Sequence, residues 1–350
     1  MIRKLLLLLE SSVLIAGLLV AFVAWQQHSA LEQPLQLREE LLLEVPAGAT
    51  PGGVLNRLQA DGVLQDALWL RLYWRFNIKG QPLHSGEYRL TPELSVRDML
   101  GLWQRGEVVQ YSLTLVEGWS FRQVRAALER QSKLELTLTE LSDAQLMARL
   151  GYSGINPEGR FFPDTYRFVR GMSDLDLLKQ AYVRLEQVLA EEWQGRDEGL
   201  PYKEPYDALI MASIIEKETG VPEERGEIAG VFIRRLRIGM RLQTDPTVIY
   251  GMGERYNGKL TRANLREPTA YNTYVIDGMP PTPIAMVGRE AINAALHPVA
   301  GKSLYFVARG DGSHVFSNNL EAHNRAVRQY QLTRREDYRS SPAPVQSNNQ

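Results

Sequence analysis

Two glutamates in "ASIIEKETG" (212–220), Glu216 and Glu218, are the residues of this chain best suited to moving a proton. At 100° per residue, Ile210, Ile214, Glu218, Met211 and Ile215 fall in that angular order on one helical stripe, with Glu218 in its middle. Glu216 falls near Ala212, Leu209 and Ser213, on a side with smaller groups. A carboxyl within an apolar stripe must be neutralised, paired or used, because desolvation disfavours its charged form and raises its pKa. A raised carboxyl pKa is what a general acid needs to protonate a glycosidic oxygen. Periodicity therefore favours Glu218 as the acid and leaves Glu216 as a supporting polar residue. The bland alternative is a helix that frays in its last turn and leaves Glu218 in water.

The helix that must position them opens with Pro205 as an early-turn proline and Asp207 as N-cap, and closes at Gly220 and Pro222. Around it lie 350 residues, enough for two or three units, with 40 Lys+Arg against 41 Asp+Glu. That balance gives no global field toward nucleic acid. The absence of cysteine excludes disulfides, thiol nucleophiles and Cys-ligated metals, and fits an oxidising compartment. Five scattered histidines, without HxxxH or HExxH spacing, argue against a metal site, and no cofactor is expected.

Residues 1–4 carry Arg3 and Lys4, and the apolar run Leu5–Trp25 is long enough to span a bilayer as a helix. A cleaved signal peptide fits less well, because the run exceeds the usual length and no small-x-small site follows it. The two cations place the N-terminus in the cytoplasm and the remainder in the periplasm, as a single-pass protein of the inner membrane. Residues 26–40 read as a polar linker and residues 41–130 as a small βα domain. In the latter, "LLLEV" (41–45) and "GEYRL" (86–90) are predicted strands, and Ser95 caps a helix carrying Met99, Leu100 and Trp103. The segments 44–58, 114–128 and 88–100 echo one another as strand, turn and amphipathic helix. This pattern resembles the LysM sugar-binding module, with Ala49 where that module has an acidic residue. Residues 131–335 read as a larger mixed domain and 336–350 as a disordered tail.

Five blocks occur in order: "GRFFPDTYRF", "MASIIEKET", "RLRIGMRLQTDPTVIYGMG", "PTAYNTYVIDGMPPTPIA" and "HVFSNNLEAHN". Together with the N-terminal anchor they resemble the endolytic murein transglycosylases of the MltG/YceG-like family over essentially the whole chain after the linker. One departure is Thr282, where the family's "PPGPI" has glycine. The resemblance implies an α+β protein that cleaves the MurNAc-β-1,4-GlcNAc bond of peptidoglycan glycan strands, leaving 1,6-anhydroMurNAc ends. It also implies Glu218, the second glutamate of the E-K-E block, as the catalytic residue, and membrane peptidoglycan synthases (penicillin-binding proteins) as partners. A single carboxyl suffices for such a reaction because the substrate's own 6-hydroxyl is the nucleophile. A hydrolase needs two carboxyls across the bond.

The remaining blocks offer substrate-binding candidates. In "LQTDPTVIYG", Asp245 before Pro246 reads first as an N-cap with proline at N1. Gln243, Thr244 and Asp245 are also hydrogen-bonding groups for a sugar cleft, and Asp245 is the best second carboxyl if the enzyme is a hydrolase. "AYNTY" offers the rings of Tyr271 and Tyr274 to pyranose faces and the Asn272 amide to an acetamido group, or is simply a packed turn. Asp164 and Tyr166 read as a join between domains, the arginines of "FIRRLRIG" as a solvated or salt-bridged face, and His314 and His323 as structural. Two rival functions stand beside the lytic transglycosylase: a muramidase acting on the same bond with water, and a non-catalytic cell-wall scaffold.

Overall fold

The computed structural model describes residues 2–78 and 83–332. The predicted tail at 336–350 lies outside them. The fold is α+β: twelve α-helices and three two-stranded sheets among the described residues. The chain divides into two compact units.

The smaller unit comprises Met1–Ser112, Ser132–Glu135 and Arg167–Met172. It begins with α1 (Ile2–Leu31), followed by β1 (Leu41–Val45), α2 (Pro51–Ala60), α3 (Leu68–Asn77), β2 (Gly86–Leu90) and α4 (Val96–Arg105). Strands β1 and β2 pair antiparallel from Leu41↔Leu90 to Val45↔Gly86, with Leu43 and Val45 turned inward and Leu42 exposed. The β-α-α-β order surrounds a core built on Leu55, Leu58, Leu70, Tyr88, Met99 and Trp103. Trp103 meets Trp74 and Tyr88 edge-on at 5.9 and 6.4 Å. Ser95 and Asp98 form a reciprocal capping box at the start of α4, and Gly106 ends it in the left-handed conformation. Buried Glu87 accepts from Lys133 Nζ and Arg170 Nη1, both at 3.0 Å, and from the Tyr111 hydroxyl. A buried carboxylate needs such partners. They explain why 132–135 and 167–172 fold with this unit.

Two boundaries differ from the sequence reading. The predicted linker at 26–40 is not a free tether: α1 continues to Leu31, and Ala30, Leu31 and Leu35 are buried in the core. Leu35 and Gln36 donate to Leu94 and Val63, Val96 donates to Gln33, and Glu32 pairs with Arg97 at 2.8 Å. The polar letters of this stretch conceal three apolar anchors. In addition, residues 113–130, read as part of the small domain, belong to the larger unit. Here α5 (Phe121–Glu129) stacks Phe121 on Phe161 at 5.2 Å, and buries Val124, Ala127 and Leu128.

The strand pair β3 (Gln110–Thr114) and β4 (Thr165–Val169) carries the chain from one unit to the other. The larger unit holds α5, α6 (Asp143–Leu150), α7 (Asp174–Gln194), α8 (Pro205–Glu218), α9 (Arg225–Arg237), α10 (Asp245–Met252) and α11 (Arg289–Leu296). An antiparallel hairpin of β5 (Tyr305–Ala308) and β6 (His314–Ser317) follows, then α12 (Leu320–Val327). Helix α8 is its axis, packed against α7, α9, α10 and α11. Every residue from Ala208 to Ile215 is buried. The expected one-sided stripe is therefore a helix apolar all round, as a central core helix must be. Asp207 lies at N3 rather than at the cap; Glu204 is the N-cap, and the two form the capping box.

Candidate active site

Helix α8 leaves the core at its last turn, where Glu216, exposed Lys217 and Glu218 emerge at the edge of an open cleft of ≈ 920 Å³. The helix is regular through Glu218, so no fraying releases that residue. Its end is held from below: Thr219 Oγ1 accepts from Val221 N at 2.9 Å and donates to Glu224. Glu224 in turn receives the backbone N–H of His314 at 2.8 Å and contacts its Nδ1 at 2.7 Å.

Glu218 Oε1 accepts a hydrogen bond from the Thr244 hydroxyl. Burial pushes the Glu218 carboxyl up to about 7, and the charge of Asp245 adds to the rise. The Thr244 hydrogen bond and the Arg235 charge pull the other way. A carboxyl near neutrality can give a proton and take one back at working pH. Glu216 differs. Its Oε2 accepts from Gly288 N at 3.2 Å and its Oε1 lies 4.0 Å from Arg225. Its pKa is raised first by burial and then by Glu117. Gly288 admits this crowding, since a Cβ there would stand 2.0 Å from Glu117 Oε1.

The segment 241–245 is fixed by backbone bonds. Gln243 N donates to Thr273 O at 3.1 Å and Thr244 N to Thr273 Oγ1 at 3.0 Å. Thr247 and Thr273 share a further buried hydroxyl contact at 2.8 Å. Gln243 is the one non-glycine residue with positive φ (49°) among the described residues. Such a conformation is costly for an L-residue and persists where the surroundings fix it. It leaves the Gln243 side chain exposed on the cleft wall. The cap of α10 sits one residue earlier than the sequence suggested: Thr244 is the N-cap and Asp245 the first helical residue. Asp245 spends its carboxylate on the Tyr274 hydroxyl, at 2.7 Å, rather than on a backbone N–H.

Glu216, Glu218, Gln243, Asp245 and Tyr274 thus line one cleft, with Thr244 buried behind them. Tyr271 and Asn272 lie elsewhere. Asn272 is fully buried and donates its amide to the carbonyls of Asn264 and Glu267, while its Oδ1 accepts from Tyr274 N. That arrangement positions Tyr274. Tyr271 lines a neighbouring cleft, with its hydroxyl 2.9 Å from Thr282 Oγ1. The departure at Thr282 is thereby accommodated, since its own hydroxyl also reaches Pro283 O at 2.8 Å.

Arg235, Tyr305 and His323 also line the cleft and were not singled out for it by sequence. Arg235 is buried and donates to Leu304 O at 2.7 Å and to Leu242 O, with its guanidinium 5.3 Å from the centre of the Tyr305 ring. The arginines of "FIRRLRIG" hold backbone carbonyls: beside Arg235, Arg234 reaches Ser303 and Val299, and Arg237 reaches Gly199. His323 stacks on Tyr305 at 5.1 Å. Asp164 and Tyr166 stay out of the cleft; Leu115 N donates to Asp164 O, and the Tyr166 hydroxyl to Phe162 O.

A buried-carboxyl cleft on this α+β frame coincides with a match of residues 43–329 to the YceG-like family, and the chain belongs to that family. It is 28% identical over 306 residues to a Bacillus subtilis (strain 168) protein named endolytic murein transglycosylase, covering 82% of this chain and 84% of that one. A Streptococcus pneumoniae (serotype 2, strain D39) protein of the same name is 27% identical over 322 residues, which is 82% of this chain and 57% of the relative. Among solved structures, a YceG-like protein from Listeria monocytogenes aligns with a TM-score of 0.53 at 29% identity, covering 83% of this chain and 99% of that one.

Proposed function

We propose that this chain is a lytic transglycosylase that cleaves the MurNAc-β-1,4-GlcNAc bond of peptidoglycan, with Glu218 as its one acid–base group. The names of its relatives support the reaction class. The observation that carries the mechanism is the Glu218 carboxyl, pushed up to about 7 and bound by Thr244 at an open cleft. Protonated Glu218 gives its proton to the glycosidic oxygen as the C1–O bond breaks. The resulting carboxylate takes the proton of the muramic 6-hydroxyl as O6 bonds to C1. Glu218 ends protonated and no water is consumed. Gln243, Asp245 and Tyr274 are the groups proposed to bind sugar, with Thr244 setting the acid and Glu216 supporting the helix end.

Asp245 favours one alternative. Its charge acts on Glu218, so a muramidase with Asp245 as the second carboxyl is the competing reading. Masses of the products from purified peptidoglycan decide between them. Anhydro ends, lighter by one water than reducing ends, are expected; reducing ends alone would establish the hydrolase.

The chain has one N-terminal helix with a stretch, Leu9–Leu31, long and apolar enough to cross a membrane. We place its apolar run through Trp25 in the cytoplasmic membrane with Arg3 and Lys4 inside, and the remainder of the two units in the periplasm beside nascent strands and their synthases. The β-α-α-β portion of the smaller unit is the proposed LysM-like glycan holder. A fragment beginning near Lys133 is expected to turn over poorly at low substrate concentration if that portion adds binding energy.

A further inference from the structure

A second cleft, of ≈ 1070 Å³, opens on the larger unit, and Gly118 and Lys217 line both it and the Glu218 cleft. The proton transfers at Glu218 make no use of it. Its floor is rigid: buried Glu158 accepts from Tyr250 Oη at 3.0 Å and from Phe121 N at 2.9 Å. The Tyr250 and Tyr271 rings meet at 4.8 Å. Tyr256 stands half-buried on its wall. Several charges here are already matched, Arg122 with Glu254 at 2.7 Å and Asp143 with Arg125 at 2.8 Å.

We propose that the two clefts form one groove across the lip of Gly118 and Lys217, and that the second cleft holds further N-acetylhexosamine rings of the strand cut at Glu218. The inference rests on the transglycosylase reading. A polymer bound across a scissile bond continues past it, and a cleft sharing two lining residues with the first is where it goes. Ring faces beside fixed polar groups suit pyranoses, which present flat C–H faces edged with hydroxyl and acetamido groups. Paired wall charges suit neutral sugar better than the carboxylates of stem peptides.

The test uses the full-length protein in detergent, with glycan oligosaccharides from tetrasaccharide to decasaccharide. Wild-type kcat/KM is expected to rise with length. Tyr256→Ala is expected to lose about tenfold on the longest substrate and little on the shortest, with Tyr256→Phe retaining the wild-type profile. In a Glu218→Gln protein, the decasaccharide should bind about tenfold more tightly than the tetrasaccharide, and Tyr256→Ala in that protein should remove the difference. A Tyr256→Ala profile identical to wild type, or lowered equally at every length, overturns the groove. A wild-type enzyme that makes no anhydro ends sinks the transglycosylase reading instead, while binding to the Glu218→Gln protein still decides whether the groove exists.

Discussion

Thr244, the N-cap of α10, donates its hydroxyl to Glu218, the final residue of α8, and so joins two helix ends at one carboxyl. The bond does two things at once. It holds the carboxyl of the proposed acid in place, and it offsets part of the rise in pKa that burial imposes. Thr244 is itself packed and anchored, being 2% exposed with its N–H on Thr273. A proton-transfer group held from a rigid second helix needs little reorganisation during reaction.

Replacing Thr244 with Val keeps the shape of the side chain and removes the donor. A donor to a carboxylate favours the ionised form, so its loss should move Glu218 above its value of about 7. The alkaline limb of kcat/KM, where the acid form is lost, should shift upward by about one pH unit. An unshifted limb would mean that this hydroxyl does not tune the acid.

Asp245→Asn should shift the same limb the other way. The Asp245 charge raises Glu218, so removing it should lower the limb, while the Asn oxygen can still accept from Tyr274. Activity should persist. Complete loss of turnover would instead make Asp245 the second carboxyl of a hydrolase.

Glu218→Gln should abolish anhydro products, since an amide neither donates the required proton nor accepts one; general acid–base catalysis is worth about 10²–10⁴ in rate. Its effect on stability has a definite sign. Folding raises Glu218 from 4.5 to about 7, so the folded state holds a proton that the unfolded chain releases. The associated stability is complete below pH 4.5 and is lost as pH rises through 7. Melting curves should therefore show the variant gaining on wild type across that window, by on the order of 1–3 kcal/mol. Glu216→Gln should cost much less activity, because that carboxyl is engaged with Gly288 N beside Arg225. The opposite ranking of the two variants would reassign the acid.

Truncation distinguishes the membrane segment from the fold. Removing residues through Gln26 should leave a soluble protein with a cooperative melt. Removing residues through Gln36 should destabilise it further, because it strips Leu31 and Leu35 from the core; buried leucines are worth about 2–5 kcal/mol each. Equal melting temperatures for the two fragments would show that those anchors contribute nothing.

What the sequence made legible follows from how local each feature is. Strands at 41–45 and 86–90 and the Ser95 cap could be read because strand alternation and capping are short-range. The choice of Glu218 rested on an apolar stripe, yet α8 is buried on every side, so periodicity alone could not separate the two glutamates. Their difference lies in partners 26 and 72 residues away, Thr244 and Gly288. Arg235 and His323 meet at the cleft through Leu304 and Tyr305, about 70 and 18 residues from them, to which no spacing in the chain points. The linker was misread because Ala30, Leu31 and Leu35 are too few to impose a visible period.

The unbroken passage of α1 into the smaller unit carries a mechanical consequence. A helix that leaves a bilayer and enters a protein core without a hinge transmits orientation as well as attachment. Buried Leu31 lies six positions beyond Trp25, the end of the apolar run, a rise of about 9 Å. Once the apolar segment is embedded, the smaller unit rides at a set height and tilt, as a post does rather than a leash. Under the proposed function, glycan held by that unit would lie within a thin layer above the lipid.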